Sequence, residues 1–139
     1  MLAEMRQPLE LRVSIENEAD IVTARQEGRR LAARRGFSTT EQTLIATAIS
    51  EVARNIVEYA RRGEIMLSTV DRHGRPGILV VASDNGPGIA DTELAMRDGY
   101  STAKSLGMGL PGCKRLMDEF DLVSEPGRGT LIRMTKWVR

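Results

Sequence analysis

The hydrophobic pattern of this chain changes period several times, and the order of those changes limits the folds open to it. Residues 9–15 alternate between apolar and polar side chains, which predicts a half-buried strand. Residues 19–35 then carry apolar side chains at helical spacing, and Gly36 follows where a helix C-terminus favours glycine. Ser38 with Glu41 three residues later is a capping-box signature, so a second helix is predicted from there to Gly63.

The second half of the chain returns to strands and adds one more helix. Strands are predicted over residues 64–71 and 77–83, and two more near 121–124 and 129–138. Between the two strand pairs, a third helix is predicted from about 110 to 120. The order predicts one α/β domain over residues 1–139, a two-layer sandwich with a mixed, mostly antiparallel sheet and its helices on one face.

Charge and composition argue against several classes of function. The chain has 20 basic and 19 acidic side chains, a net charge of +1, so nucleic acid and anionic membrane are not expected partners. A single cysteine and a single histidine leave no internal disulfide and argue against zinc or haem. The first residues lack an apolar signal segment, and no run approaches the ~20 apolar residues of a membrane span. We therefore expect a cytoplasmic protein.

Two oxygen-bearing side chains lie four residues apart on the predicted second helix. Glu51 and Asn55 would project from one side of that helix, one turn apart. Magnesium normally takes one or two protein oxygens and completes its shell with phosphates and water, so one Asn oxygen suffices if a nucleotide brings the rest. The alternative is an ordinary solvated polar face, which is the commoner explanation for such a pair in isolation.

The segment DNGPGI, residues 84–89, follows the apolar run of a predicted strand. A carboxylate at a strand end, here Asp84, can accept a hydrogen bond from an exocyclic amine such as that of adenine, worth roughly 1.5–3 kcal/mol when buried. Gly86 and Gly88 allow close backbone approach and unusual backbone angles. A simple Asx-type turn explains the hexapeptide equally well when it is taken alone.

The segment GMGLPG, residues 107–112, formally matches GxGxxG. A Rossmann site requires a strand immediately before these glycines, whereas a polar stretch precedes them here, so that interpretation is rejected. Glycines that enter a helix, with Pro111 in its first turn, still leave N–H groups able to bind phosphate. Residues 90–106 lack periodicity and predict a functional loop or lid.

Together with Gly127-Arg128-Gly129-Thr130, these segments resemble the GHKL (Bergerat-fold) ATP-binding domain, in the order that this family shows. The resemblance implies ATP and Mg²⁺ as cofactors. The nucleotide-binding residues that it implies are Asn55, Asp84, Gly86, Gly88, Ile89, Thr102, Lys104, Gly107, Met108, Gly109, Leu110 and Thr130.

The same resemblance assigns individual roles. Asp84 would bind the adenine amine, and Thr130 would support the adenine. Asn55 would hold magnesium, and Glu51 would be the general base that orients an attacking hydroxyl or water. A lid at about residues 91–106 would order over the phosphates when nucleotide binds.

Within this superfamily, the chain is similar to the stand-alone serine/threonine switch kinases. We expect it to lack a phosphoacceptor-histidine domain and the further domains of the gyrase, chaperone and mismatch-repair members. The segments SEVARNI (50–56), DGYST (98–102) and GMGLPGCKRLMDEF (107–120) favour the stressosome branch over the branch that binds sigma factors. The sigma-binding branch commonly has an arginine just before GMG, where this chain has Lys104-Ser105-Leu106.

The implied activity is phosphorylation of STAS-domain scaffold or antagonist proteins in a stress-response switch. Phosphorylation would release the kinase to activate a phosphatase or another output enzyme, and a homodimer is left open. One alternative is an anti-sigma factor that sequesters a sigma subunit. Another is a non-catalytic binding module in which nucleotide is structural.

Overall fold

The computed structural model describes residues 10–89, 96 and 109–139. A five-stranded sheet has the order β1-β2-β3-β5-β4, and its strands are β1 (Glu10–Ile15), β2 (Gly63–Arg72), β3 (Arg75–Asp84), β4 (Glu119–Glu125) and β5 (Gly129–Trp137). The helices are α1 (Glu18–Arg35), α2 (Thr39–Asn55) and α3 (Gly109–Leu116). The predicted two-layer α/β sandwich is confirmed, and each pairing in the described sheet is antiparallel.

Helix α1 is capped at both ends by local sequence. The Asn17 side chain accepts from the backbone N–H of Asp20, and the Asp20 carboxylate accepts from the backbone N–H of Asn17. This capping box satisfies donors that the first helical turn leaves unpaired. At the other end Gly36 adopts φ of 98°, the left-handed conformation in which glycine carries no Cβ penalty. The predicted helix and its end at Gly36 are confirmed.

Helix α2 begins as the sequence predicts and ends differently. The Ser38 hydroxyl accepts from the backbone N–H of Glu41 at 3.1 Å, which caps the first turn. After Asn55 the chain continues as a π-helical turn, Ile56–Ala60. Arg61 then leaves the helix with φ of 73°. The predicted end at Gly63 is therefore wrong, because Gly63 already belongs to β2 and pairs with Ile15 and the last residue of β3.

The hydrophobic core fills the space between the helices and one face of the sheet. Helix α1 packs against α2 at Gly28, where the side chain of Ile49 occupies the space that a Cβ would need. The largest fully buried side chains are Ile15, Ile45, Ile49, Val52, Ile56, Ile65, Leu67, Ile78, Val80, Cys113, Ile132 and Met134. Because residues of one strand alternate between its two faces, these strand positions share the face that the helices cover.

Helix α3 is shorter than predicted. It ends at Leu116, and Phe120 lies in β4 rather than on the helix. The buried Lys136 of β5 donates from Nζ to the Leu116 carbonyl at 2.7 Å, and the carboxylate of Asp118 accepts from the backbone N–H of Trp137. The Lys136 bond satisfies a carbonyl at the end of the helix, and the Asp118 bond joins the residues that follow the helix to β5. The apolar side chains beyond Leu116 therefore belong to the sheet.

Candidate functional site

The end of α2 carries a buried carboxylate. Glu51 is 5% exposed, and its carboxylate accepts a hydrogen bond from the backbone N–H of Gly109, the first residue of α3. The two helices pack against each other, so this bond connects the predicted base to the start of the predicted phosphate-binding helix. A buried carboxylate is seldom tolerated without such a partner.

The environment of Glu51 favours its protonated form more than water does. Burial raises the pKa of this carboxyl above its ordinary 4.5, and the nearby Glu58 acts in the same direction. The charge of Arg54 and the N–H of Gly109 lower the pKa and oppose that effect. A raised carboxyl pKa is the usual way in which a protein brings a glutamate closer to the range needed for proton transfer at neutral pH.

Asn55 is the last residue of α2 and lies one turn after Glu51. It is half-buried, and the π-helical turn begins immediately after it. Such turns are rare and occur frequently at functional sites. The last residue of this turn, Ala60, lies against Gly86, where an added Cβ would come within 2.6 Å of the Ala60 Cβ. The turn therefore brings the end of α2 into contact with the DNGPGI loop.

Asp84 ends β3 at the edge where that loop begins. It pairs across the sheet with Gly63 on one side and Thr130 on the other. Its Oδ1 accepts from the backbone N–H of Gly86 at 2.9 Å, which is an Asx turn. Its Oδ2 makes no hydrogen bond to another described residue. The alternative reading of DNGPGI as an Asx turn is thus correct locally, and it leaves one carboxylate oxygen for a ligand.

The DNGPGI loop is fixed against the turn between β4 and β5. Gly88 has φ of 77°, and a Cβ there would overlap the carbonyl oxygen of Glu125. Pro87 accepts through its carbonyl from the backbone N–H of Gly127 at 2.8 Å. Gly129 has φ of 118°, and a Cβ there would overlap the carbonyl oxygen of Asp84. The first and last glycine motifs of the sequence therefore form one packed unit.

Ser124 joins this unit through its hydroxyl and was not predicted from the sequence. Its Oγ accepts from the backbone N–H of Ile89 at 2.6 Å and donates to the carbonyl of Gly129 at 3.1 Å. The Thr130 hydroxyl lies 2.9 Å away and donates to the remaining lone pair. A signal was present, because Phe120 and Leu122 precede Ser124 at alternate positions on the helix-facing side of β4. A serine in that row interrupts an apolar pattern.

The sequence-predicted residues thus fall into two groups. Asp84, Gly86, Gly88, Ile89 and Thr130 are connected around the end of β3, and Glu51 is connected to Gly109 across α2 and α3. Leu110, in the first turn of α3, is 7% exposed and belongs to the core. Thr102, Lys104, Gly107 and Met108 lie outside the described residues, and so does the predicted lid at 91–106 except for Met96.

A cavity of about 500 Å³ opens at the same end of the sheet but on its other face. Its lining includes Ser14, Glu64 and Ser83, which are cross-strand neighbours on the face away from the helices. Asp84 is the one predicted site residue in its lining. The cavity is therefore separate from the Glu51 and Thr130 positions.

The described residues contain no group of three or more His, Cys, Asp or Glu side chains placed to hold a metal ion. Within the same part of the chain, no helix is both long enough and apolar enough to cross a membrane.

Comparison with known proteins shows which family this sequence resembles. The sequence model of the histidine kinase-like ATPase domain matches residues 15–136. The serine/threonine-protein kinase RsbT of Bacillus subtilis (strain 168) is 53% identical over 127 residues, which are 91% of this chain and 96% of that protein. An anti-sigma F factor of Caldanaerobacter subterraneus subsp. tengcongensis is 36% identical over 98 residues, 68% of each chain.

Solved structures give the same fold at lower sequence identity. The RsbU and RsbW domains of Rv1364c from Mycobacterium tuberculosis superpose with a TM-score of 0.62 at 22% identity. That alignment covers 95% of this chain and 33% of the other chain. The SiaB–SiaC complex from Pseudomonas aeruginosa gives a TM-score of 0.55 at 11% identity, with 99% and 94% coverage. At these identities the likeness concerns the fold alone.

Proposed function

The chain belongs to the histidine kinase-like ATPase domain family, and from that premise we propose that it is an ATP-dependent serine/threonine protein kinase. The observation that carries the proposal is the 53% identity to a serine/threonine kinase over 91% of this chain. The buried carboxylate of Glu51, hydrogen-bonded to the start of α3, supports it as the group that receives the acceptor's proton.

The group around the end of β3 would bind the nucleoside. The second oxygen of Asp84 accepts from the exocyclic amine of adenine, while the first stays bonded to Gly86. Gly88 would let the base approach the backbone, and its close contact with Glu125 holds the loop against the turn between β4 and β5. The Thr130 hydroxyl gives its proton to Ser124, and its lone pairs remain for adenine or a bridging water.

The start of α3 and the end of α2 would bind the phosphates. The Gly109 N–H donates to Glu51 and Pro111 has no N–H, so the remaining backbone N–H groups in the first turn of α3 would attract phosphate oxygens, since they lack partners within the helix. Asn55 offers one neutral amide oxygen at the adjacent end of α2. That single donor fits Mg²⁺, an ion that takes its remaining ligands from phosphate and water. When bound there, magnesium would supply positive charge that offsets the charge of the phosphates.

Transfer itself needs a base and correct placement of the acceptor. The ionised Glu51 accepts the proton of a serine or threonine hydroxyl while that oxygen bonds to the γ-phosphorus. The bond from this phosphorus to the bridging oxygen breaks, and ADP leaves with the electron pair. Because phosphoryl transfer depends mainly on positioning and charge stabilisation, a small domain suffices when the partner supplies the hydroxyl.

The acceptor we propose is a STAS-domain scaffold or antagonist protein, on the basis of the stressosome-type motifs in residues 50–56, 98–102 and 107–120. Phosphorylation of that partner releases the kinase to bind and activate a phosphatase or another output enzyme. Residues 1–139 act as one domain in the cytoplasm.

A second candidate function is sequestration of a sigma factor. The 36% identity to an anti-sigma F factor favours it. The two functions differ in what the chain retains from a lysate, because the second requires a stable complex with a sigma subunit of RNA polymerase.

The test is transfer of label from γ-labelled ATP into a lysate of the source organism. Wild type should label a small STAS protein on serine or threonine, identified by mass spectrometry, and Glu51→Gln should not. Glu27→Gln, a half-buried carboxylate on α1 paired with Arg30, is the matched control and should label normally. ATP binding without label in wild type would contradict the kinase proposal and favour a non-catalytic module.

A further inference from the structure

Arg54 is drawn into the protein further than an ordinary surface arginine. It lies three residues after Glu51 and directly before Asn55 in α2. Its side chain is 23% exposed, whereas that of Arg30 on α1 is 65% exposed. Arginines at a surface usually extend their charged end into water, so the burial of this one requires an explanation.

The contacts of the Arg54 guanidinium leave part of it without an acceptor. Nη1 lies 3.3 Å and 3.4 Å from the two carboxylate oxygens of Glu18, which is itself 71% exposed. Nε is buried and makes no hydrogen bond within the described part of the chain. Exposed ion pairs contribute little, whereas an unsatisfied buried donor is unfavourable. The burial of this guanidinium is therefore not explained by its contacts within the described part of the chain.

The position of Arg54 relative to the reacting groups indicates which ligand. Its positive charge lowers the pKa of the Glu51 carboxyl, and the Glu51 carboxylate accepts a hydrogen bond from the backbone N–H of Gly109 at the start of α3. Residues three and four apart on a helix are surface neighbours, so Glu51, Arg54 and Asn55 occupy one side of α2. Arg54, the proposed base Glu51 and the proposed magnesium ligand Asn55 thus lie on one side of α2, and Glu51 faces the start of α3.

We propose that Arg54 is a catalytic residue whose guanidinium contacts oxygens of the γ-phosphoryl group during its transfer. This inference rests on the proposed kinase function. As the acceptor oxygen bonds to the γ-phosphorus and the bond to ADP breaks, negative charge develops on the phosphoryl oxygens and the leaving oxygen. Arg54 keeps its proton throughout, since guanidinium is always charged in proteins, and Glu51 takes the proton of the acceptor hydroxyl.

A purely structural role makes a different prediction. If Arg54 only joins α2 to the start of α1 through Glu18, then Glu18→Gln and Arg54→Met should have equal effects. If Arg54 contacts the transferred group, Glu18→Gln should cause at most a loss of a few fold, and Arg54→Met a much larger one. Removing a donor of this kind typically lowers kcat by about 10²–10³-fold.

The experiment compares binding of ADP with binding of ADP plus magnesium and aluminium fluoride, which imitates the phosphoryl group in transfer. Wild type, Arg54→Met, Arg54→Lys, Glu18→Gln and the surface control Arg30→Met are measured by calorimetry, with melting curves to confirm folding. Arg54→Met should bind ADP within about threefold of wild type, but lose about 100-fold in affinity for the aluminium fluoride complex. Arg54→Lys should be intermediate, and Arg30→Met should match wild type.

Chemical rescue is the second readout. Guanidinium ion added at low millimolar concentration should partly restore transfer to Arg54→Ala and should not accelerate wild type or Glu18→Gln. Wild-type affinity of Arg54→Met for the aluminium fluoride complex, or equal losses in Glu18→Gln and Arg54→Met, would overturn the role of Arg54 alone. If wild type itself binds that complex no more tightly than ADP, the proposed function fails and this inference fails with it.

Discussion

A single substitution at Ser124 removes several hydrogen bonds at the proposed nucleoside-binding end of the site. Ser124→Ala removes the acceptor of the Ile89 N–H, the donor to the Gly129 carbonyl and the partner of the Thr130 hydroxyl. Each lost partner in a buried site contributes about 1 kcal/mol, and Ser124 is half-buried, so water recovers part of the loss. With three hydrogen bonds lost and part of the loss recovered by water, we expect the free energy of unfolding to fall by about 2 kcal/mol.

The assay is urea unfolding followed by tryptophan fluorescence. Trp137 is the single tryptophan of the chain and is 7% exposed, so its emission reports loss of the sheet. The melting temperature should fall by roughly 4–8 °C for a domain of this size. The matched control is Ser50→Ala, because the Ser50 hydroxyl makes one local bond to the Ala46 carbonyl within α2.

The two variants should also differ in nucleotide affinity. Ser124→Ala should weaken ATP binding, because Ile89 and Thr130 lose the group that fixes them. Ser50→Ala should retain wild-type affinity. A change below about 0.5 kcal/mol for Ser124→Ala, the range of an ordinary surface substitution, would refute the role of the Ser124 hydroxyl.

Three further predictions follow from the same geometry. Gly129→Ala should unfold the domain or abolish ATP binding, because its φ of 118° and the overlap with the Asp84 carbonyl both oppose a Cβ. Its control is Gly127→Ala, where φ is 79° and no atom lies within 4 Å. In thermal melts this control should lower the free energy of unfolding by about 1 kcal/mol. Asn55→Ala should remove the magnesium dependence of ATP binding, measured by titration with and without EDTA, and unchanged dependence would exclude Asn55 as the ligand. Transfer should rise with pH through a value above 4.5, because burial raises the pKa of Glu51 and the base must be ionised; a profile that is flat down to pH 4.5 would contradict this.

Local sequence rules predicted the elements whose ends are satisfied locally. Helix α1 is capped by Gly36 and α2 by Ser38, because a backbone angle and a capping hydroxyl, both properties of nearby residues, decide those positions. The end of α3 was misjudged because Lys136 and Asp118 determine it through contacts with distant residues. No pattern of local apolar spacing contains that information.

The same distinction applies to the candidate site. The glycines of the first and last motifs are readable in sequence, since a turn or close approach demands them, and they do pack together. Ser124 is not predicted as a site residue because a serine in a short strand usually faces water. Its hydrogen bonds to Ile89, Gly129 and Thr130 depend on the folded structure. The buried Nε of Arg54 likewise depends on packing around α2, which the helical spacing of Glu51 and Asn55 does not reveal. The predicted ligand roles of these residues stay predictions.

We propose Glu51 as the base of a serine/threonine kinase. The most direct measurement is the single-turnover rate of phosphoryl transfer to the labelled acceptor, with wild type and Glu51→Gln at equal occupancy by ATP. Loss of the base should lower this rate by about 10²–10⁴-fold with ATP affinity unchanged. Equal rates for the two proteins would show that Glu51 does not remove the proton, and would contradict the account of the site.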